Sequence, residues 1–228
     1  MEWWDTFLYE FNRTFIVDDR WKMFASGLGN TLTIWFFAVL LGLAIGTLIA
    51  FMKLSRFKPF QWISNVYIDI IRGTPTMVQI LIIYNIIFMS VNISRMLVAV
   101  IAFGINSGAY VAEIIRGGIL SVNKGQMEAG RSLGLNHAQT MFHIIMPQAV
   151  KNILPALGNE AIVLAKETSV IGYIANVDLT AAALKVQSRT YSFVMPLIAI
   201  AVIYYVVIKI MTILLNLLEK RLRKADNR

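Results

Sequence analysis

GGILSVNKGQMEAGRSLGLNHAQTMFHIIMP, residues 117–147, is the longest polar interval inside a chain built otherwise of apolar runs. Met127 to Leu133 favours a short helix. Ala129 and Gly130 keep that helix small enough on one side for its backbone to lie close to another surface, and Gly134 suits a C-terminal cap. An ordered interval of this length between apolar runs asks for a partner or a reaction. What it does depends on what flanks it.

The flanks are membrane spans. The chain has 228 residues, 57% hydrophobic and 15% charged, with a mean hydropathy of +0.65. An ordinary soluble domain is roughly 25% charged and 45–50% apolar. A spanning helix needs about 20 mostly apolar residues, because its backbone must satisfy its own hydrogen bonds across roughly 30 Å of hydrocarbon. Five stretches answer to that description. The first, near 27–52, holds no charge between Lys22 and Lys53, and its Ala38, Gly42, Gly46 and Ala50 form a small-residue stripe that admits a close helix neighbour. The second, 73–89, is extended toward the N-terminus by Trp62, Ile63, Val66, Tyr67 and Ile70, with Pro75 marking a kink or break. The third, 96–115, ends near Glu113 and Arg116. The fourth, 151–175, is the least apolar and contains Pro155, Asn159, Glu160 and Lys166; the fifth, 191–217, contains Pro196 and Lys209.

Lys and Arg collect on the cytoplasmic side of such spans. Lys53, Arg56 and Lys58, then Arg116, Lys124, Arg131 and Lys151, then Lys220, Arg221, Arg223, Lys224 and Arg228 fall on one side if there are five spans. The expected fold is thus an all-α integral membrane protein with its N-terminus outside, its C-terminus inside and the 117–146 interval in the cytoplasm. Residues 1–24 form an extracytoplasmic segment, 25–220 the transmembrane domain and 221–228 a basic tail. The opposite side receives a short 89–95 connection and a mixed 176–190 loop. The net charge of +8 is explained by this topology and not by nucleic acid, since the basic residues lie beside apolar runs instead of along one aromatic-interleaved face. The acidic, aromatic N-terminus does not read as a cleavable signal peptide.

The interval resembles the signature of the permeases of ATP-binding-cassette importers, in particular the polar amino-acid subgroup. That signature is Glu-Ala-Ala, three residues, Gly, nine residues, Ile, one residue, Leu-Pro. Here it stands as Glu128-Ala129-Gly130, Gly134, Ile144 and Met146-Pro147, with the spacing kept and Gly and Met replacing Ala and Leu. Similar to the same subgroup are Gly29-Asn30-Thr31-Leu32, Tyr67 to Pro75 (YIDIIRGTP), Ala109 to Gly118 (AYVAEIIRGG), Gly158-Asn159-Glu160 and Lys166-Glu167-Thr168-Ser169. The likeness covers about residues 25 to 220. It implies a type I importer permease whose coupling helix, carried by Glu128, Ala129, Gly130, Gly134 and Leu135, seats in a groove of the ATP-hydrolysing subunit. The bland rival is an interfacial helix that only anchors the loop. The resemblance also implies a cytoplasmic ATPase dimer using ATP and Mg, a second permease copy in a homodimer or heterodimer, an extracytoplasmic solute-binding protein, and a place in a bacterial inner (plasma) membrane.

Ionisable groups at membrane depth are costly and usually pair or face a water-filled cavity. Asp69 with Arg72, and Glu113 with Arg116, are three apart and suit structural pairing. Glu160 and Lys166 lie in one apolar run, where an acid and a base can hold the ammonium and carboxylate of an amino acid. Against that stand neutralisation by a neighbouring helix and, for Lys166, snorkelling. Gln79, Tyr84 and Asn85 can complete the passage or serve as interhelical glue.

No GxxxxGK[ST] segment is present, so the chain does not cradle ATP by that route. It has no cysteine, its two histidines, His137 and His143, lack a carboxylate at metal-ligand spacing, and Ser107, Ser169 and Ser188 have no neighbouring base. A non-catalytic transport subunit is expected, binding no cofactor or metal itself. The alternatives are a stand-alone channel or secondary carrier, and a membrane scaffold or sensor.

Overall fold

The computed structural model describes residues 3–174 and 178–226, the side chains of 173, 174 and 222–226 excepted. The end of the expected fourth span, the start of the expected 176–190 loop, and the first two and last two residues lie outside them. Among the described residues the chain is helical throughout.

A short aromatic helix, α1 (Trp3–Phe11), leads through a turn to α2 (Trp21–Leu54), so the helix holding the first apolar run begins four residues ahead of the expected boundary at 25. Then come α3 (Lys58–Gly73) and α4 (Thr76–Ile82), the latter continuing as a wider turn through Ile87. The two are bent by 109° at a short break. Thr74 and Pro75 are both extended there. Proline causes this: it biases the residue before it away from helical backbone and supplies no N–H to continue the ladder.

Helix α5 (Arg95–Leu120) runs parallel to α2 and is its main neighbour. The small-residue stripe explains the fit. Ala38, Gly42, Gly46 and Ala50 are all buried. A Cβ at Gly46 would stand 2.5 Å from Val111 Cβ and 2.8 Å from the Gly108 carbonyl, and one at Gly108 would meet Ile45 and the Tyr67 hydroxyl. Each helix therefore keeps glycine where the other is bulky, and backbones approach closely. At the far end of the seam Lys53 Nζ lies 2.7 Å from Glu113 Oε1, while Arg116 Nη2 lies 2.8 Å from Glu113 Oε2. The Glu113–Arg116 pair expected from spacing is present and takes Lys53 as a third member. Asp69 and Arg72 form no ion pair; Arg72 sits over the Tyr110 ring at 5.3 Å.

The polar interval folds as α6 (Lys124–Ser132) and α7 (His137–Thr140), and a wide turn then runs into α8 (Met146–Glu167). Helix α9 (Leu179–Thr190) occupies most of the expected 176–190 loop. It is no exposed connection: Leu179, Ala182, Ala183 and Val186 are fully buried. Asp178 caps its N-terminus by accepting from the Thr180 and Ala181 amides, and Leu179 N–H donates to Thr31 Oγ1 of α2 at 3.1 Å. The last helix, α10 (Val194–Asp226), buries Ala199 and Leu215 and leaves Leu197, Val202, Val206, Ile210, Leu214 and Leu217 exposed.

By length and apolarity three helices can cross a membrane, Trp21–Leu54, Arg95–Leu120 and Val194–Arg221, and a fourth if the bent α3–α4 pair is one span. Helix α8 is long enough at 22 residues, but it carries Lys151, Glu160, Lys166 and Glu167. The count supported by composition is three to four against the five expected.

Candidate functional site

Where α4 leaves the bend, it packs beside α5 and reaches α8 through its first residue, and a group of polar side chains meets in the crook. Ser107 on α5 donates to Glu160 Oε1 on α8 at 3.1 Å. One helical repeat farther along α8, Glu167 Oε2 accepts from Thr76 Oγ1, the first residue of α4, at 3.4 Å. Seven residues is almost two full turns, so Glu160 and Glu167 share a face. Trp35 of α2 closes the side of the group by donating its indole N–H to the Ala161 carbonyl at 2.8 Å.

Lys166 does not join this group. It lies six residues beyond Glu160, about 240° around the helix, and its side chain is exposed. The acid and base that the sequence offers in one run are thus on different sides of α8. The carboxylate that shares the face of Glu160 is Glu167, and Arg72 is the basic residue that the end of α3 brings to the bend. Helical arithmetic could have found Glu167; nothing local in sequence points to Arg72, which arrives only because α3 ends where it does.

Gln79 is buried, and its amide is fully occupied by the bend. Nε2 donates to the Ile71 carbonyl at 2.7 Å, the Thr74 carbonyl at 3.1 Å and Thr74 Oγ1 at 2.7 Å, while Oε1 accepts from Asn106 at 2.9 Å. These are carbonyls that the interrupted helix would otherwise leave unpaired. Tyr84 and Asn85 lie farther along, lining a separate polar recess of about 310 Å³ with Phe88, Met89, Ile93 and Arg95. The five expected contact residues therefore separate into Glu160 in the crook, Gln79 in its frame, Tyr84 and Asn85 at another recess, and Lys166 outside.

The second candidate surface is α6. Its end satisfies two orphan carbonyls: Gly134 N–H donates to Arg131 O at 3.1 Å and Leu135 N–H to Gly130 O at 3.1 Å. Gly134 holds φ +83°, the left-handed backbone such an ending needs. Gly130 is buried against Thr140. Glu128, Ala129, Arg131, Ser132 and Leu133 face outward, and Leu133 is 80% exposed. Both histidines are exposed here, and no group of three or more His, Cys, Asp or Glu side chains able to hold a metal occurs among the described residues.

Residues 23–224 match the family of binding-protein-dependent transport system inner membrane components. The chain belongs to that family. Among curated relatives it is 38% identical to the arginine transport system permease protein ArtQ of Bacillus subtilis over 202 residues, 88% of this chain and 92% of that one. It is 36% identical to the probable glutamine ABC transporter permease protein GlnM of the same organism, over 92% of this chain and 98% of the relative. Among solved structures, an amino acid ABC transporter crystallised with histidines matches with a TM-score of 0.84 at 49% identity, covering 88% of this chain and 94% of the other. As a permease of this family the chain is a multi-pass inner-membrane protein, the non-catalytic subunit of an ATP-driven importer. ATP is hydrolysed by a separate subunit, and the permease binds no cofactor itself.

Proposed function

We propose that the carried solute is a polar amino acid and that the crook formed by α4, α5 and α8 holds it. The observation that carries this reading is the Ser107–Glu160 contact at 3.1 Å, with Glu167 on the same face of α8 bonded to Thr76 at the start of α4; in this reading Arg72, at the end of α3, supplies the positive charge. Glu160 and Glu167 suit an ammonium and Arg72 a carboxylate. Ionised, the three groups leave one negative charge, which favours an amino acid with a cationic side chain. Relatives named for arginine and glutamine transport, and a homologous structure with histidines, agree with the class. Gln79 contributes by fixing the bend, while Tyr84 and Asn85, at their separate recess, and Lys166 stay outside the crook.

In the same reading α8 is a fifth span, its charged face turned to the passage instead of to lipid, which sets the N-terminus outside and the C-terminus inside. Two permease copies, identical or homologous, enclose an alternating-access path. Residues 25–220 form the membrane domain between an extracytoplasmic segment and a basic tail. The outward face of α6 is the coupling helix that takes up motion from a cytoplasmic ATPase dimer, and a solute-binding protein delivers cargo from outside. The test is ATP-driven uptake by the complex reconstituted with its ATPase and binding protein. Glu160→Gln should abolish uptake of a cationic amino acid while leaving the complex assembled; uptake that survives with unchanged preference would overturn the assignment.

A further inference from the structure

At the end of the α2–α5 pair opposite α6, helix α1 leans against the turn between α9 and α10. Together they surround a recess of about 510 Å³ whose walls include Trp3, Phe7, Tyr191 and Phe193, with Glu10, Thr6 and Ser192 as its polar members. Three observations single it out. Its aromatic rings are turned outward: Trp3 is 76% exposed, Tyr191 80% and Phe193 64%. Glu10 Oε2 is buried and has no hydrogen-bond partner, an arrangement that costs free energy unless something cationic or donating arrives. And Tyr191 is held at φ 52°, a left-handed conformation a bulky residue adopts only under constraint. Thr190 Oγ1, bonded to Val186 O at 2.8 Å and accepting from Ser192 N–H at 3.2 Å, supplies that constraint.

Outward aromatic faces around a carboxylate are the chemistry that takes an ammonium group. The position identifies its carrier. The recess lies at the start of α10, Val194, one of the helices long and apolar enough to cross a membrane, and Trp and Tyr gather where such helices meet the bilayer surface. Its floor continues through Val194, Met195 and Ile198 onto the exposed apolar face of α10. Helix α1 itself is anchored from below by a run of ring contacts from Phe7 to Phe11, Phe15 and the buried Phe24. We propose that this recess is a headgroup site for an aminophospholipid, the ammonium lying against Glu10 and the rings and the acyl chains running down α10.

The complex is placed in nanodiscs of phosphatidylglycerol containing a small fraction of either phosphatidylethanolamine or phosphatidylglycerol, brominated high on the acyl chains. Quenching of Trp3 is read as the difference between the parent and Trp3→Phe. Brominated phosphatidylethanolamine should quench this component about threefold more than brominated phosphatidylglycerol, the order gained by a cation over exposed rings beside a carboxylate. Glu10→Gln should bring the two lipids together, and Tyr191→Leu should narrow the gap. Soluble ethanolamine or arginine at millimolar concentration should leave the quenching unchanged. Equal quenching by the two lipids in the parent, an unaltered preference in Glu10→Gln, or relief by the soluble amines would each overturn the proposal, the last by making the recess a solute site.

Discussion

Gly130→Ala writes into this chain the alanine that the importer signature carries at that position, and the structure predicts that it will do harm. Replacing an interior helical Gly by Ala is worth about 0.5–1 kcal/mol in favour of the helix. Against it, the new Cβ would lie 2.5 Å from Thr140 Cγ2, 2.9 Å from Thr140 Oγ1 and 3.0 Å from Ile144 Cδ1. Thr140 cannot swing away cheaply, being fully buried with its hydroxyl bonded to the Asn136 carbonyl at 3.0 Å. Overpacking of this kind costs about 1–3 kcal/mol, so the net loss is about 1 kcal/mol or slightly more. In a chain of this size that lowers the melting midpoint by about 2–4 °C. Thr140→Ala removes both clashing atoms but forfeits a hydrogen bond and a methyl, about 2 kcal/mol together. The double variant is relieved of the clash but not of the lost hydrogen bond, so it should lose about 1 kcal/mol where the singles sum to about 3, a coupling of about 2 kcal/mol. Thermal unfolding of the purified complex and uptake per ATP hydrolysed give the two readouts. If Gly130→Ala raises the midpoint, or if the double variant loses the plain sum of the singles, the packing argument is wrong.

Three further outcomes are expected. Glu113→Gln leaves Lys53 and Arg116 facing each other without their shared carboxylate; because these side chains are only 17–32% exposed the loss should be about 1–3 kcal/mol, seen as a lowered midpoint that Lys53→Met partly restores. Gly134→Ala forces a side chain onto φ +83° at about 1 kcal/mol, and Gly134→Asn should cost less, which proteolysis of the α6–α7 loop can measure. Lys166→Met, on the exposed side of α8, should change stability by less than about 0.5 kcal/mol and leave amino-acid preference intact, in contrast to Glu160→Gln; a shifted preference would return Lys166 to the passage.

What was legible in the sequence was whatever the membrane or the backbone imposes locally. Uninterrupted apolar runs located α2, α5 and α10, the four-residue repeat of small side chains located the seam, and the Gly134 turn closed α6 where spacing placed it. Helix α9 escaped because its residues are neither apolar enough for a span nor polar enough for a solvent-facing helix. Its cap was nonetheless visible as Asp178 before an alanine-rich run. The crook escaped for a different reason. Pro75 announces a break but not an angle of 109°, and it is the bend that sets Arg72 over Tyr110 and gives Gln79 its stranded carbonyls to bond.

The two proposed functional surfaces, the crook and α6, are carried by one pair of helices. The segment holding α6 joins the end of α5 to the start of α8, and at that junction Asn152 Nδ2 donates to Ser121 Oγ at 2.9 Å and Gln148 Nε2 to Gln126 Oε1 at 3.4 Å. From Met146 to Glu160 α8 is continuous helix, a rod of about 21 Å. Helix α5, by contrast, is fixed to α2 through the glycine seam and the Glu113 pairs. A displacement delivered at α6 thus meets one helix that is held and one that is less so. Farther along the pair, Ser107 of α5 donates to Glu160 of α8. Any sliding of α8 against α5 acts directly on the Ser107–Glu160 hydrogen bond, so motion at α6 would reach the proposed cargo site through the packing of these two helices.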